Sequence, residues 1–230
     1  MKINEILAES LDEEILDEMP LPADWDPAQM GRGTSFKSRL AYALERAKKI
    51  GTGSSRVAMT IEYEGRQTVL KVAKNQKGLA QNSVEADILS DGYATQLDAI
   101  ELIPIIDYDT ENREPHWIHT ELAQKASEKQ LCDIMGVRSL SDLVAFGKAI
   151  GGKSRGTTAQ MWIEFMKRQG YSDEQIETAT AYANDLAELA VSFDIEIGDF
   201  NTAHNWGMYK GRPTIIDVGF STNVRQQYYK

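Results

Sequence analysis

Apolar residues recur every three to four positions over most of this chain and alternate with polar ones in two short stretches, which separates a helical regime from a strand regime. Ile3, Ile6, Leu7, Leu11, Ile15 and Leu16 keep helical spacing, and Ser10 with Glu13 has the capping-box interval that restarts a helix. MPLPADWDP (19–27) breaks the pattern with three prolines and predicts a linker. SFKSRLAYALERAKKI (35–50) predicts an amphipathic helix with basic residues in its last turn, delivering the chain to GTGSSR (51–56). The alternation in 56–64 and 66–74 predicts two strands joined at Glu64-Gly65. A helical segment follows around 80–96, then apolar runs at 101–108 and 116–123 separated by the turn-rich DTENREP (109–115).

Beyond Lys125 the pattern is helical for most of the remaining length, with capping-box spacing at Ser127/Gln130 and Ser172/Gln175 and apolar periodicity in 159–168 and 175–193. A small β-rich half followed by a larger α-rich half predicts an α+β chain of two lobes. The expected organisation is an acidic helical extension over 1–30, a β-containing lobe over 31–124 and a helical lobe over 125–230.

Composition narrows the chemistry. At 230 residues the chain can bury a proper core, and its single cysteine, Cys132, excludes a disulfide framework and a thiolate zinc cluster. His116, His119 and His204 lack metal-ligand spacing. No apolar run approaches the length that spans a bilayer, and the N-terminus lacks the profile of a secretory signal, so a cytoplasmic protein without a membrane partner is expected. Net charge is −10, but residues 1–30 hold nine acids against Lys2, which leaves the body nearly neutral and without an electrostatic reason to attract nucleic acid. The acidic segment reads first as a solvated helical tail, with recruitment of a partner as the alternative.

Two acids near the end of the chain carry the strongest chemical signal. Asp199, in IGDFNTAHNWG, and Asp217, in RPTIIDVGF, are eighteen residues apart, the second followed closely by Gly219 at what reads as a sharp turn. Upstream, Gly51 and Gly53 in GTGSSRV let backbone N–H groups approach a phosphate. Lys71 in VLK and Lys74 in VAK fall on opposite faces of a strand, and Lys71 is preferred because it shares its face with Val69 and Ala73. VEADIL supplies Glu85, with Asp87 pointing well round the same helix.

Taken in order, these motifs over roughly 46–220 resemble those of the protein-kinase-like superfamily, including its small-molecule kinases. The resemblance implies a two-lobed fold with a small antiparallel β lobe and a helical, truncated C-lobe, binding ATP and Mg²⁺. It implies that Gly51, Gly53 and Val57 cover the nucleotide, that Lys71 holds phosphates and pairs with Glu85, and that Thr120, Glu121 and Ala123 in HWIHTELAQ line the adenine pocket at the hinge. Asp199 would accept the proton of an attacking hydroxyl, and Asn205 with Asp217 would bind metal. Three departures stand out: Arg56 replaces the third loop glycine, Ile197 replaces the histidine that supports the catalytic loop, and His204 holds the usual asparagine position with Asn205 one residue on.

Only twelve residues follow Val218 and Asp217, too few for a peptide-binding segment of the protein-kinase type. The implied function is an ATP-dependent phosphotransferase with an unidentified hydroxyl acceptor, a protein favoured over a small molecule. The alternative is a pseudokinase, a weakly active or inactive binding module for a host or virion protein. The opening MKINEIL and the compact organisation resemble proteins of tailed bacteriophages, for which a host protein is a candidate partner of the acidic N-terminus.

Overall fold

Glu64 and Gly65 both take positive φ, 48° and 73°, the combination that closes a tight hairpin, and they set β2 (Arg56–Tyr63) antiparallel to β3 (Arg66–Ala73). The computed structural model describes residues 21–92, 94–154 and 156–229, so the helical pattern read in residues 1–20 lies outside the described residues. β1 (Lys48–Thr52), β6 (Trp117–Glu121) and β5 (Ile105–Tyr108) complete an antiparallel sheet of order β1-β2-β3-β6-β5. Strand alternation gives this sheet two distinct faces. Val57, Met59, Ile61, Leu70 and Val72 bury one of them against Leu21, Trp25, Met30 and Ala43. Arg56, Ala58, Val69, Lys71 and Ala73 occupy the other, matched across β2 and β3 by the pairs Arg56↔Ala73 and Ala58↔Lys71.

Two sequence expectations change here. The helix expected over 35–50 is α2 (Phe36–Arg46), and Lys48 and Lys49 belong to β1 instead of to its last turn. β1 is an exposed edge strand without apolar alternation, held by its pairing to β2, which local periodicity cannot report. The glycine loop therefore joins two strands rather than preceding the first. The expected linker is likewise structured over its described part. Asp26 caps the short α1 (Pro27–Met30), while Leu21, Trp25 and Met30 are buried. Buried Arg39 fixes the following turn by donating to the carbonyls of Met30, Gly31 and Thr34, each at 2.8 Å. Residues 21–30 thus pack into the small lobe.

On the cleft side, Asn75 caps α3 (Gln76–Leu89), which starts earlier than the helix expected over 80–96 and ends before it. The helix lies very close to the sheet. A Cβ at Gly78 would sit 2.3 Å from the Ser55 carbonyl oxygen and 3.0 Å from Ala73.

The helical lobe packs α4 (Glu128–Met135), α5 (Leu140–Ile150) and α6 (Ala159–Arg168) around α7 (Asp173–Ser192), whose start carries a reciprocal capping box between Ser172 and Gln175. A second sheet of order β4-β9-β8-β7 lies at the lobe junction, made of β4 (Glu101–Leu102), β7 (Gln124–Lys125), β8 (Trp206–Tyr209) and β9 (Arg212–Ile215). β4 runs parallel to β9, and Ile103 donates its N–H to the Ile215 carbonyl at 3.0 Å, so the small-lobe connection is fastened to the hairpin that carries Asp217. Buried Asp185 of α7 accepts the N–H groups of Ala99 and Ile100 at 2.7 and 2.8 Å and anchors the same connection from below. α8 (Thr222–Tyr228) then returns to pack on α3. No helix among the described residues is long and apolar enough to cross a membrane.

Gly78 tests the closeness of α3 to the sheet. Intrinsic helix propensity favours alanine there by up to about 1 kcal/mol, whereas the contact with Ser55 is an overpacking clash costing about 1–3 kcal/mol. Gly78→Ala is expected to lower unfolding free energy in urea; an unchanged or raised stability would contradict this packing.

Candidate active site

The strand parity that buries Val57 turns its neighbours Arg56 and Ala58 toward the space between the lobes. That space is a cavity of about 570 Å³ whose walls include Gly51, Gly53, Ala58, Lys71, Asn205 and Asp217. The expectation that Val57 covers a nucleotide is corrected by this geometry: Val57 belongs to the small-lobe core, and Ala58 lines the cavity. The glycine loop is tied down along its outer side. Lys74 Nζ donates to the Gly53 carbonyl at 2.7 Å, and Asn75 Nδ2 donates to that of Ser54 at 3.0 Å. Gly53 donates its own N–H to the Arg56 carbonyl at 3.0 Å, so this amide faces the loop and not the cavity.

Lys71 Nζ bonds Glu85 and also donates to the Ile216 carbonyl at 2.5 Å, next to Asp217. Of the two lysines, Lys71 is the one paired with Glu85, whereas Lys74 is engaged by the glycine loop. Glu85 is completely buried, at 0% exposure, and Asp87 is exposed. The second partner of Glu85 is Arg56, which forms a bridge: Nη1 lies 2.5 Å from Glu85 Oε2, and Nη2 lies 2.5 Å from Asp217 Oδ1. Two cations and two carboxylates thus meet at the junction of β2, β3, α3 and the segment after β9.

Burial opposes the charge on both members of the Arg56–Asp217 pair, but their neighbours outweigh it. The Arg56 guanidinium, beside Asp217 and Glu85, is held above its ordinary value. The Asp217 carboxyl, beside Arg56 and Lys71, is held below its own. Gly219 has a role different from the turn expected of it. Its φ is not positive, but a Cβ there would lie 2.6 Å from the Gln81 carbonyl oxygen and 3.2 Å from both terminal nitrogens of Arg56. Glycine gives clearance for α3 and the guanidinium.

Asp199 lies in a 3₁₀ turn over Ile197–Asn201. The turn is held from beneath by Ile197, which is buried and reaches so close to α5 that a Cβ on Gly147 would be 2.9 Å from its Cδ1. The support of this turn is therefore apolar packing. Asn205 Nδ2 donates to the backbone carbonyl of Asp199 at 2.7 Å, and the Asn205 carbonyl accepts the N–H of Ile216 at 3.0 Å. This fixes the carboxamide between the two acidic segments and leaves its Oδ1 as the acceptor. His204 also lines the cavity but is exposed. Burial, and then the negative charge of Asp217, push the Asp199 carboxyl up to about 6.

The hinge residues are placed less directly. Thr120 is buried on the cleft face of β6, paired with Val69, but it is not part of the cavity wall. Glu121 donates its N–H to the Pro104 carbonyl at 2.9 Å, and its side chain accepts from Arg66 at 3.0 Å. Ala123 packs under Gly207, where a Cβ would approach it to 2.7 Å. Sequence reasoning missed the part played by Arg56, Ser55, Gln81 and Tyr229. The Ser55 hydroxyl bonds Gln81, and the Tyr229 hydroxyl lies 3.3 Å from that of Ser54 at the cavity rim. Parity with Ala58 was the signal available for Arg56.

Among the described residues no group of three or more His, Cys, Asp and Glu side chains could hold a metal ion. A divalent ion here would draw on the Asp217 carboxylate and Asn205 Oδ1, with phosphate and water oxygens completing its shell, a donor set that suits Mg²⁺.

A small antiparallel sheet, a lysine–glutamate pair between β3 and α3, and a hairpin flanked by two acids together make an α+β, two-lobed fold consistent with the kinase-like arrangement. No protein-family model matches the chain, and no curated protein matches it either. Among solved structures, that of the aminoglycoside phosphotransferase APH(4)-Ia is similar at 16% identity, covering 80% of this chain and 72% of that one with a TM-score of 0.35. The functional reading rests on the side-chain geometry.

Glu85 neutralises two cations from a fully buried position. Removing one partner of a buried ion pair typically costs about 3–5 kcal/mol. Glu85→Ala is expected to lose stability on that scale in urea unfolding, and a loss below about 1 kcal/mol would contradict the arrangement.

Proposed function

We propose that the cavity binds ATP with Mg²⁺ and transfers the γ-phosphoryl group to a hydroxyl acceptor. The observation that carries this reading is that Lys71, fixed by Glu85, bonds the Ile216 carbonyl next to Asp217 across the lobe junction, with the Asp199 carboxyl raised to about 6 nearby. Lys71 would bind phosphate oxygens as a point charge, oriented by Glu85. Asp217 and Asn205 would hold the metal, which when bound offsets charge on the β- and γ-phosphoryl oxygens. Asp199 would take the proton of the acceptor hydroxyl as its oxygen bonds to the γ-phosphorus and the bond to the β–γ bridging oxygen breaks, releasing ADP.

A second reading is favoured by one observation. Arg56 occupies the Asp217 carboxylate, as it would in a fold that engages a nucleotide or a partner without transfer. The two readings differ in turnover, with binding common to both.

Incubation with γ-labelled ATP, Mg²⁺ and host extract is expected to show transfer to protein or to water. Asp199→Asn is expected to lower the rate by about 10²–10⁴-fold while ATP still raises the melting temperature. Because the base must be ionised, the rate should rise with pH through about 6 and level above it. Undiminished transfer in Asp199→Asn would remove Asp199 from the reaction. Absence of all transfer, with stabilisation by ATP retained, would favour the second reading.

A further inference from the structure

Arg56 is a cavity-lining cation at the end of the glycine loop, where the kinase-like pattern has glycine. It is 7% exposed, and its two carboxylate partners are unequal. Glu85 is sealed from water, whereas the Asp217 side chain is 37% exposed and faces the cavity. The guanidinium fork therefore has a fixed end and an open end. Breaking a buried ion pair outright is costly, but exchanging one anion for another need not be. A phosphate is tetrahedral where a carboxylate is planar, but each presents a pair of anionic oxygens that the guanidinium fork can bind, and arginine pairs with either.

We infer that Arg56 is a second phosphate-binding cation of the cavity, whose resting partner is Asp217 and which exchanges that carboxylate for a nucleotide phosphate. The inference rests on the nucleotide-binding part of the proposed function. With no nucleotide, Arg56 and Lys71 are matched by Glu85 and Asp217, so the junction is self-neutralised. An arriving triphosphate brings its own negative charge to Lys71 and to the open end of Arg56. The guanidinium pivots on Glu85, and Asp217 is released to a divalent ion. Two consequences follow. Nucleotide is held without a divalent ion through Arg56, and before nucleotide arrives Arg56 and a divalent ion compete for Asp217.

The test titrates the full chain with ATP by calorimetry, once in EDTA and once in excess MgCl₂, and then repeats both for Arg56→Gln and Asp217→Asn. Wild type is expected to bind ATP in EDTA. Arg56→Gln should weaken that binding by about tenfold or more, the scale of one charge-assisted contact, with a smaller loss in MgCl₂. Direct titration with MnCl₂ in the absence of nucleotide should show tighter binding to Arg56→Gln than to wild type. Asp217→Asn leaves the Arg56–Glu85 pair in place, so it should keep or tighten ATP binding in EDTA and lose the gain from MgCl₂. It serves by itself if Arg56→Gln fails to show a cooperative melt. ATP binding in EDTA that is unchanged in Arg56→Gln, or lost in Asp217→Asn, would overturn the inference. Wild-type binding confined to MgCl₂ would overturn it while leaving the proposed function standing, and no binding under either condition would remove both.

Discussion

A carboxylate with no access to water persists only where cations surround it, and Glu85 sets this requirement for the whole junction. Lys71 reaches it from β3 and Arg56 from β2, which is feasible because the β2–β3 register sets Arg56 opposite Ala73 and Lys71 opposite Ala58 on one face. A one-residue slip of either strand would turn its own cation into the small-lobe core and bring Val57 or Val72 to the charge in its place. α3 must lie almost on the sheet for Glu85 to arrive, and Gly78 permits that approach. The segment after β9 must come equally close, and Gly219 leaves room for it. Register, helix position and hairpin approach thus answer to one buried charge. Such a pair adds little net stability over an apolar replacement; what it defines is the position of an ammonium and a guanidinium at the mouth of a cavity.

The α+β division, the β2–β3 hairpin, the long α7 with its capping box and the Lys71–Glu85 partnership were legible because each leaves a local trace: alternation, a Glu-Gly turn, a Ser-x-x-Gln interval, a lysine on an apolar strand face. What was not legible depends on partners distant in sequence. Lys48 and Lys49 look helical, and pairing with β2 alone makes them a strand. The proline-rich 21–27 looks like a linker until Leu21 and Trp25 find the back of the sheet. Arg56 looked like a lapse in a glycine loop, because its two carboxylates are 29 and 161 residues away. Val57 follows the loop motif in sequence, but strand parity puts it in the small-lobe core and Ala58 at the cavity.

Asp199 and Asp217 show why this matters for chemistry. The two are the same residue type in adjoining segments, yet their carboxyls move in opposite directions. Burial raises Asp199, and the charge of Asp217 raises it further. Asp217 escapes the same effect of burial because Arg56 and Lys71 stand against it. Environments that drive paired carboxyls apart separate a proton acceptor from a fixed anion. The linkage to stability separates as well. Ionisation of Asp199 is disfavoured in the folded state, so its cost is complete above about 6 and fades as pH falls toward the ordinary carboxylate range. Asp217 stabilises the fold above that range, and its contribution is lost on further acidification. One arginine at a loop position that the kinase-like pattern gives to glycine sets this asymmetry. Beside Lys71 it holds the second acid ionised, while its own charge pulls the first one down, and burial together with the charge of Asp217 outweighs that pull.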